Sequence, residues 1–153
     1  MSASILTDTQ PVLGVCGLER TFIMIKPDGV RRKLIGEIIG RIERRNLTIS
    51  AMKMLTPSKE LAEEHYAAHR GKDFFEPTVD FITSGPVVAM IVEGENAIVI
   101  MRNMIGALDP TQASSGTIRG DLTISTRENL IHGSDSPESA AREIALWFPE
   151  CNS

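Results

Sequence analysis

The sequence predicts an α+β domain in which helices cover an antiparallel sheet. Apolar runs of strand length recur between segments of helical periodicity, and their order reads β-α-β-α-α-β-α-loop-β-α. With 153 residues, 42% hydrophobic and 24% charged, the chain has the length and composition of one globular domain with a single substantial core.

Residues 1–18 are rich in Ser, Thr, Gly and Pro and read as a flexible N-terminal extension, leaving 19–153 as the domain. Thr21-Phe-Ile-Met-Ile-Lys26 reads as a buried strand, stopped by the turn signal Pro27-Asp28-Gly29. Ile35, Ile38, Ile39 and Ile42 follow at i, i+3, i+4 and i+7 and give a helix one apolar face. Glu37, Arg41, Glu43, Arg44 and Arg45 fall largely off it. Leu47 to Leu55 forms a second strand; Pro57-Ser58 opens a helix through Leu61 and Tyr66, and Asp73 to Thr83 supports another. Gly85-Pro86 punctuates before a third strand, Val87 to Val92, and Asn96 to Ile105 is helical. The polar stretch from Gly106 to Glu128 is too long for a simple connector. Asn129 to His132 makes a short last strand. Ser136 then N-caps a final helix with Pro137 at its first position and Glu138 near the positive end of its dipole. Ala141, Ile144, Ala145 and Phe148 give that helix an apolar face.

A net charge of −4 argues against broad binding to nucleic acid or to an anionic membrane, although a local cationic cluster can still serve a small anion. No apolar run approaches the roughly 18 residues a membrane span needs. The first 18 residues lack a basic start and a continuous apolar core, so a cytoplasmic protein is expected. The two cysteines, Cys16 and Cys151, match no metal-ligand spacing and read as free thiols in a reducing compartment, with a disulfide joining the two ends as the alternative.

Chemistry gathers in a few segments. Long loops inside compact domains are usually functional or disordered. This one carries Gly116-Thr-Ile-Arg-Gly-Asp121, whose glycines let the backbone approach a ligand and whose Arg119 offers phosphate a fork of donors; a solvated surface loop is the plainer alternative. In Asn129-Leu-Ile-His-Gly-Ser-Asp-Ser136 a histidine precedes a glycine just ahead of a capped helix; taken alone, a structural histidine with its hydrogen bonds satisfied is the plainer reading. Imidazole attacks phosphorus when one ring nitrogen is open and the other is oriented by an acceptor. Glu143, two helical turns beyond Ser136 on the same side, can be that acceptor for His132. Lys26 and Arg102 read singly as solvated cations and together with Arg119 as phosphate contacts. His65 and His69 have the i, i+4 spacing of a shared metal, but no third ligand accompanies them; they read as an exposed helix face with Glu60, Glu63 and Glu64. Of Phe74 and Phe75, one suits the core and the other a nucleobase. The P-loop and the protein-kinase glycine loop are absent.

Taken together, Glu19-Arg-Thr-Phe-Ile-Met-Ile-Lys-Pro-Asp-Gly-Val30, Ser84-Gly-Pro-Val-Val-Ala-Met90, Gly116-Thr-Ile-Arg-Gly-Asp121 and Asn129-Leu-Ile-His-Gly-Ser-Asp-Ser136 resemble, in order, the signature segments of the nucleoside diphosphate kinases. The resemblance runs from about Leu18 to Phe148. It implies a ferredoxin-like βαββαβ domain that moves the γ-phosphoryl of ATP, or another nucleoside triphosphate, to a nucleoside diphosphate by a ping-pong route. His132 matches the phosphorylated nucleophile, Glu143 and Ser134 the residues that orient it, and Tyr66 a neighbour of the histidine. Lys26 and Asn129 match contacts to the ribose hydroxyl and phosphates, Arg102 and Arg119 the phosphate-binding arginines, and Phe74 the aromatic under the base. Mg²⁺ carried by the nucleotide phosphates, broad base specificity and a homohexamer or tetramer are further implications. The chain departs from the family pattern at Leu108, where a phosphate-bonding threonine is usual, at Ser115, where proline is usual, and at Thr78 and Thr126, where apolar residues line the base. Leu108 and Ser115 motivate an alternative, a nucleotide-binding interaction or regulatory protein with weak turnover.

Overall fold

The computed structural model describes residues 18–151. Most of the expected N-terminal extension therefore lies outside the described residues, as does Cys16, while Leu18 already opens the first strand. Four strands form one sheet: β1 (Leu18–Ile25), β2 (Thr48–Leu55), β3 (Val87–Glu95) and β4 (Ile131–Gly133). Their spatial order is β2-β3-β1-β4 and every pairing is antiparallel, the arrangement of a βαββαβ domain. The α+β expectation holds.

Among the described residues, seven α-helices accompany the sheet: α1 (Pro27–Arg31), α2 (Ile35–Arg44), α3 (Lys59–His65), α4 (Phe75–Ile82), α5 (Ala97–Ile105), α6 (Ile118–Leu122) and α7 (Pro137–Trp147). Both faces of the central strands are covered, so β1 and β3 read as continuous apolar runs, whereas the edge strand β2 alternates. On one face Ile23, Ile25, Met90 and Val92 pack with Ile38 and Ile42 of α2 and Met101 and Ile105 of α5. On the other, Phe22, Met24, Ala89 and Ile91 pack with Ala62, Val79, Ile82, Ile144 and Trp147 from α3, α4 and α7. None of the described helices is long and apolar enough to cross a membrane.

Three local readings needed correction. Pro27-Asp28-Gly29 is not only a stop: Pro27 sits at the first position of a short helix, because proline's missing N–H costs nothing there. The long polar stretch contains α6, N-capped by Thr117, whose hydroxyl accepts from Gly120 N at 2.9 Å. The buried side of α7 consists of Ala140, Glu143, Ile144 and Trp147, with Ala141 and Ala145 left exposed. Trp147 and Ile144 bury far more apolar area than two alanines, so they set the rotation of the helix and carry Glu143 inward with them.

Candidate active site

The turn after β1 and the entry to β4 are tied into one unit. Lys26 N donates to Leu130 O at 2.8 Å, and Asp28 Oδ2 accepts from Leu130 N at 3.0 Å. Leu130 is held at φ 71°, a left-handed conformation that costs a leucine roughly 1–2 kcal/mol and persists only where its surroundings fix it. Gly29 belongs to the same knot, since a Cβ there would meet Leu130 O at 3.2 Å and Ile25 Cγ2 at 2.7 Å. Register then pairs His132 with Met24. His132 thus faces α3 and α7, with its ring 6.0 Å from that of Phe22.

Across that face stands Glu143. Its Oε1 is hydrogen-bonded to His132 Nε2, and its Oε2 accepts from Ser134 Oγ at 3.1 Å. His132 Nδ1 has no hydrogen-bond partner among the described residues, and the side chain is 23% exposed. Burial is the largest influence lowering the His132 pKa below 6.5, followed by the positive charges of Lys26, Arg102 and Arg119. Imidazole is therefore neutral and nucleophilic at physiological pH. Glu143 is pushed upward by burial, against His65 and the Ser134 hydroxyl.

The cations are placed for a polyanion. Lys26 is only 9% exposed and makes no ion pair among the described residues; burial, then Arg119, lowers its pKa to about 8. Arg119 projects from α6 into the interior and donates to Asn129 O (3.2 Å), Gly106 O (3.2 Å), Asn129 Oδ1 (3.4 Å) and Ile131 O (2.7 Å). Its contacts are carbonyls, so its charge is not cancelled. Burial, then Arg102, brings its pKa down to about 10. Arg102, exposed on α5, donates to Gly133 O at 3.3 Å. Asn129 is buried and donates its amide to Thr126 O at 3.0 Å.

Phe74 precedes α4 and is exposed, while Phe75 is in the core; one of the pair is thus free to meet a planar ligand. Tyr66 packs edge-on against His65 with ring centroids 4.6 Å apart, and its hydroxyl pKa is raised by burial and then by Glu143. Leu108, at 53% exposure, lies on the loop after α5 and Ser115 before α6, both on the surface. Thr78 is half-buried in α4, and Thr126 is exposed beside Asn129.

The expected exposed face for His65 and His69 was wrong. Helix α3 ends at His65, and His69 lies in a following 3-10 turn, where it approaches Phe74. His65 points inward at 4% exposure, its Nδ1 accepting from Trp147 Nε1 at 3.0 Å. Its place three residues after buried Ala62 is the signal in the sequence that it shares the apolar side. Asp28 was read only as a turn residue; its carboxylate is fully buried. The glycine reading also shifts: Gly120 is required by protein rather than ligand, since a Cβ there would lie 1.9 Å from Ser114 O. Gly120→Ala is expected to destabilise the domain by about 2–3 kcal/mol, seen as a melting temperature lower by about 5–10 °C.

His65, His132 and Glu143 bring ligand-type atoms within 4.8 Å of one another. Hydrogen bonds already engage them, and Lys26, Arg102 and Arg119 oppose a bare cation beside them. Of the other nearby carboxylates, Asp28 accepts from Leu130 N through Oδ2 while its buried Oδ1 has no partner among the described residues, and Asp135 is held below the usual carboxylate range chiefly by the Ser139 hydroxyl. Such a set does not form an oxygen cage, and it fits a magnesium ion held chiefly by phosphates and water.

The family model described as nucleoside diphosphate kinase matches residues 19–153. A nucleoside diphosphate kinase of Archaeoglobus fulgidus is 59% identical over 133 residues, covering 87% of this chain and 88% of its own length. One from Mycobacterium tuberculosis is 62% identical over 132 residues, covering 86% and 97%. Among solved structures, a halophilic nucleoside diphosphate kinase of Halobacterium salinarum in complex with CDP superposes with a TM-score of 0.83 at 51% identity, covering 85% of this chain and 87% of that one. A Babesia bovis nucleoside diphosphate kinase family protein gives 0.84 at 50%, covering 86% and 90%. The matched span includes the positions of His132, Lys26, Arg102 and Arg119, and this chain belongs to the nucleoside diphosphate kinase family.

Proposed function

We propose that this protein is a nucleoside diphosphate kinase that relays the γ-phosphoryl group through His132 Nδ1. The observation that carries the reading is the histidine itself: Nε2 engaged by Glu143, Nδ1 open, three cations around it. In the first half-reaction the Nδ1 lone pair attacks the γ-phosphorus, the Nδ1–P bond forms, and the bond from phosphorus to the β-phosphate oxygen breaks, releasing the diphosphate. Glu143 stabilises the imidazolium character that develops, as a carboxylate behind a histidine does in other nucleophilic sites. In the second half, a terminal oxygen of the incoming diphosphate attacks the same phosphorus and Nδ1 leaves. Lys26, Arg102 and Arg119 neutralise the phosphates, supplying the alignment and charge on which phosphoryl transfer depends. Magnesium on the nucleotide phosphates adds further charge neutralisation. The exposed ring of Phe74 accepts any base by stacking, so ATP and other nucleoside tri- and diphosphates serve alike.

Incubation with ATP labelled at the γ-position tests this. Label is expected on the protein without acceptor and lost on adding CDP or GDP. A protein that binds nucleotide yet takes no label is the weak-turnover alternative, which Leu108 and Ser115 favour. Assembly as a hexamer built of dimers, or as a tetramer, and a cytoplasmic location complete the reading; light scattering decides the first.

The Lys26 pKa of about 8 sets a pH dependence. A lowered pKa means that the charge is present below this value and lost as pH rises through it. kcat/KM is expected to fall about tenfold between about pH 7 and pH 9. The limb for kcat is expected to lie higher, because bound phosphates favour the ammonium.

A further inference from the structure

His65 lies beside the nucleophile yet takes no direct part in the relay. Its ring meets that of His132 edge-on at 4.6 Å and 78°. The indole N–H of Trp147, which can only donate, points at His65 Nδ1 from 3.0 Å. Nδ1 is therefore the acceptor, and the ring proton resides on Nε2. That nitrogen stands 3.8 Å from Glu143 Oε1, the oxygen that also holds His132. The separation exceeds a hydrogen bond, but the N–H dipole still acts on the carboxylate in so buried a setting.

We propose that His65, locked in its Nε2–H tautomer by Trp147, is a positioning residue that keeps Glu143 charged and aligned, so that Glu143 fixes His132 with Nδ1 as the attacking nitrogen. This deepens the relay proposed above and rests on it. Burial, the strongest influence on Glu143, favours its protonated form; the His65 Nε2–H dipole, 3.8 Å away, and the Ser134 hydroxyl oppose it. The other groups facing this carboxylate are Ser134 and Asp135 beside β4, Tyr66 after α3 and Arg142 on α7 itself. Arg142 is drawn away, donating to the carbonyls of Glu64 and His65 at 3.1 Å each. Burial first, then the neighbouring His132, holds the His65 pKa well below 6.5, so His65 acts as an oriented neutral dipole.

Two measurements on the full-length protein test the role. In two-bond proton–nitrogen correlation spectra, His65 is expected to show a bare Nδ1 and a protonated Nε2 from about pH 5 to pH 8. A proton on Nδ1, or a charged ring within that range, overturns the proposal. In pH profiles, Trp147→Phe and His65→Leu are expected to lower kcat about ten- to hundredfold with little change in nucleotide KM. Their acid limb is expected to move up by about one pH unit, because a less supported Glu143 gains its proton sooner. His65→Gln, whose amide can accept from Trp147 and donate toward Glu143, is expected to recover most of the rate. Variants that lose stability while keeping the wild-type acid limb reduce His65 to a packing residue and overturn the proposal. Absence of label on wild-type His132 removes the relay itself; label on His132 with unmoved acid limbs removes only the role of His65.

Discussion

Replacing His132 with alanine is expected to abolish transfer between nucleotides by at least about four powers of ten, with nucleotide affinity kept within a few-fold. The asymmetry follows from the geometry. Among the described residues His132 supplies a neutral nitrogen, Nδ1, open to attack phosphorus, whereas Lys26, Arg102 and Arg119 grip phosphate on their own account. Without the relay a direct transfer needs donor and acceptor aligned at once. The fold should survive, since the histidine is partly exposed on a strand pinned by backbone pairs to β1. The cost falls on Glu143, left buried without its imidazole partner, and is about 1–3 kcal/mol. Steady-state rates, calorimetric titration with ADP and thermal melting check the three parts separately.

Arg119→Ala carries the second-largest effect, and it strikes stability and rate together. This guanidinium ties α6 to the carbonyls of Gly106, Asn129 and Ile131, at the end of one loop and the entry to β4. Truncation takes a donor from each of these carbonyls, of which Asn129 O alone keeps another, Ile131 N at 2.9 Å; the cost is about 3 kcal/mol. It also removes one of three charges at the phosphate site, worth about 10²–10³ in kcat. Lysine is not a substitute, for one ammonium cannot reach carbonyls on three sides with a planar fork. Urea unfolding should show a lower midpoint. Transfer rates measured well below that midpoint should remain depressed, and a rate recovered there would confine Arg119 to scaffolding.

How legible this was in the sequence depends on the range of the interaction. Helix α2 could be read from Ile35, Ile38, Ile39 and Ile42 because periodicity is local, and Thr21 to Lys26 because an unbroken apolar run means a strand covered on both faces. Phe75 as core with Phe74 exposed fell within the same reading. The helix that carries Glu143 was found from its cap, but its buried side was misjudged by counting alanines instead of weighing Trp147. What escaped depends on partners distant in the chain. His65 is inward because Trp147 meets it, and Asp28 is buried because Leu130 closes over it. Nothing beside Asp28 in the chain announces that, and for His65 the one local sign is its spacing from Ala62. Leu108 and Ser115 are visible in the sequence as departures, and both are exposed.

The identity of the nitrogen that bears phosphorus tests the account most directly. With Nε2 held by Glu143, phosphoenzyme formed from ATP and trapped at alkaline pH should yield phosphohistidine substituted at Nδ1, at His132 alone. Phosphorus on Nε2, or on any other residue, would contradict the arrangement in which Glu143 holds one side of the ring and leaves the other to react.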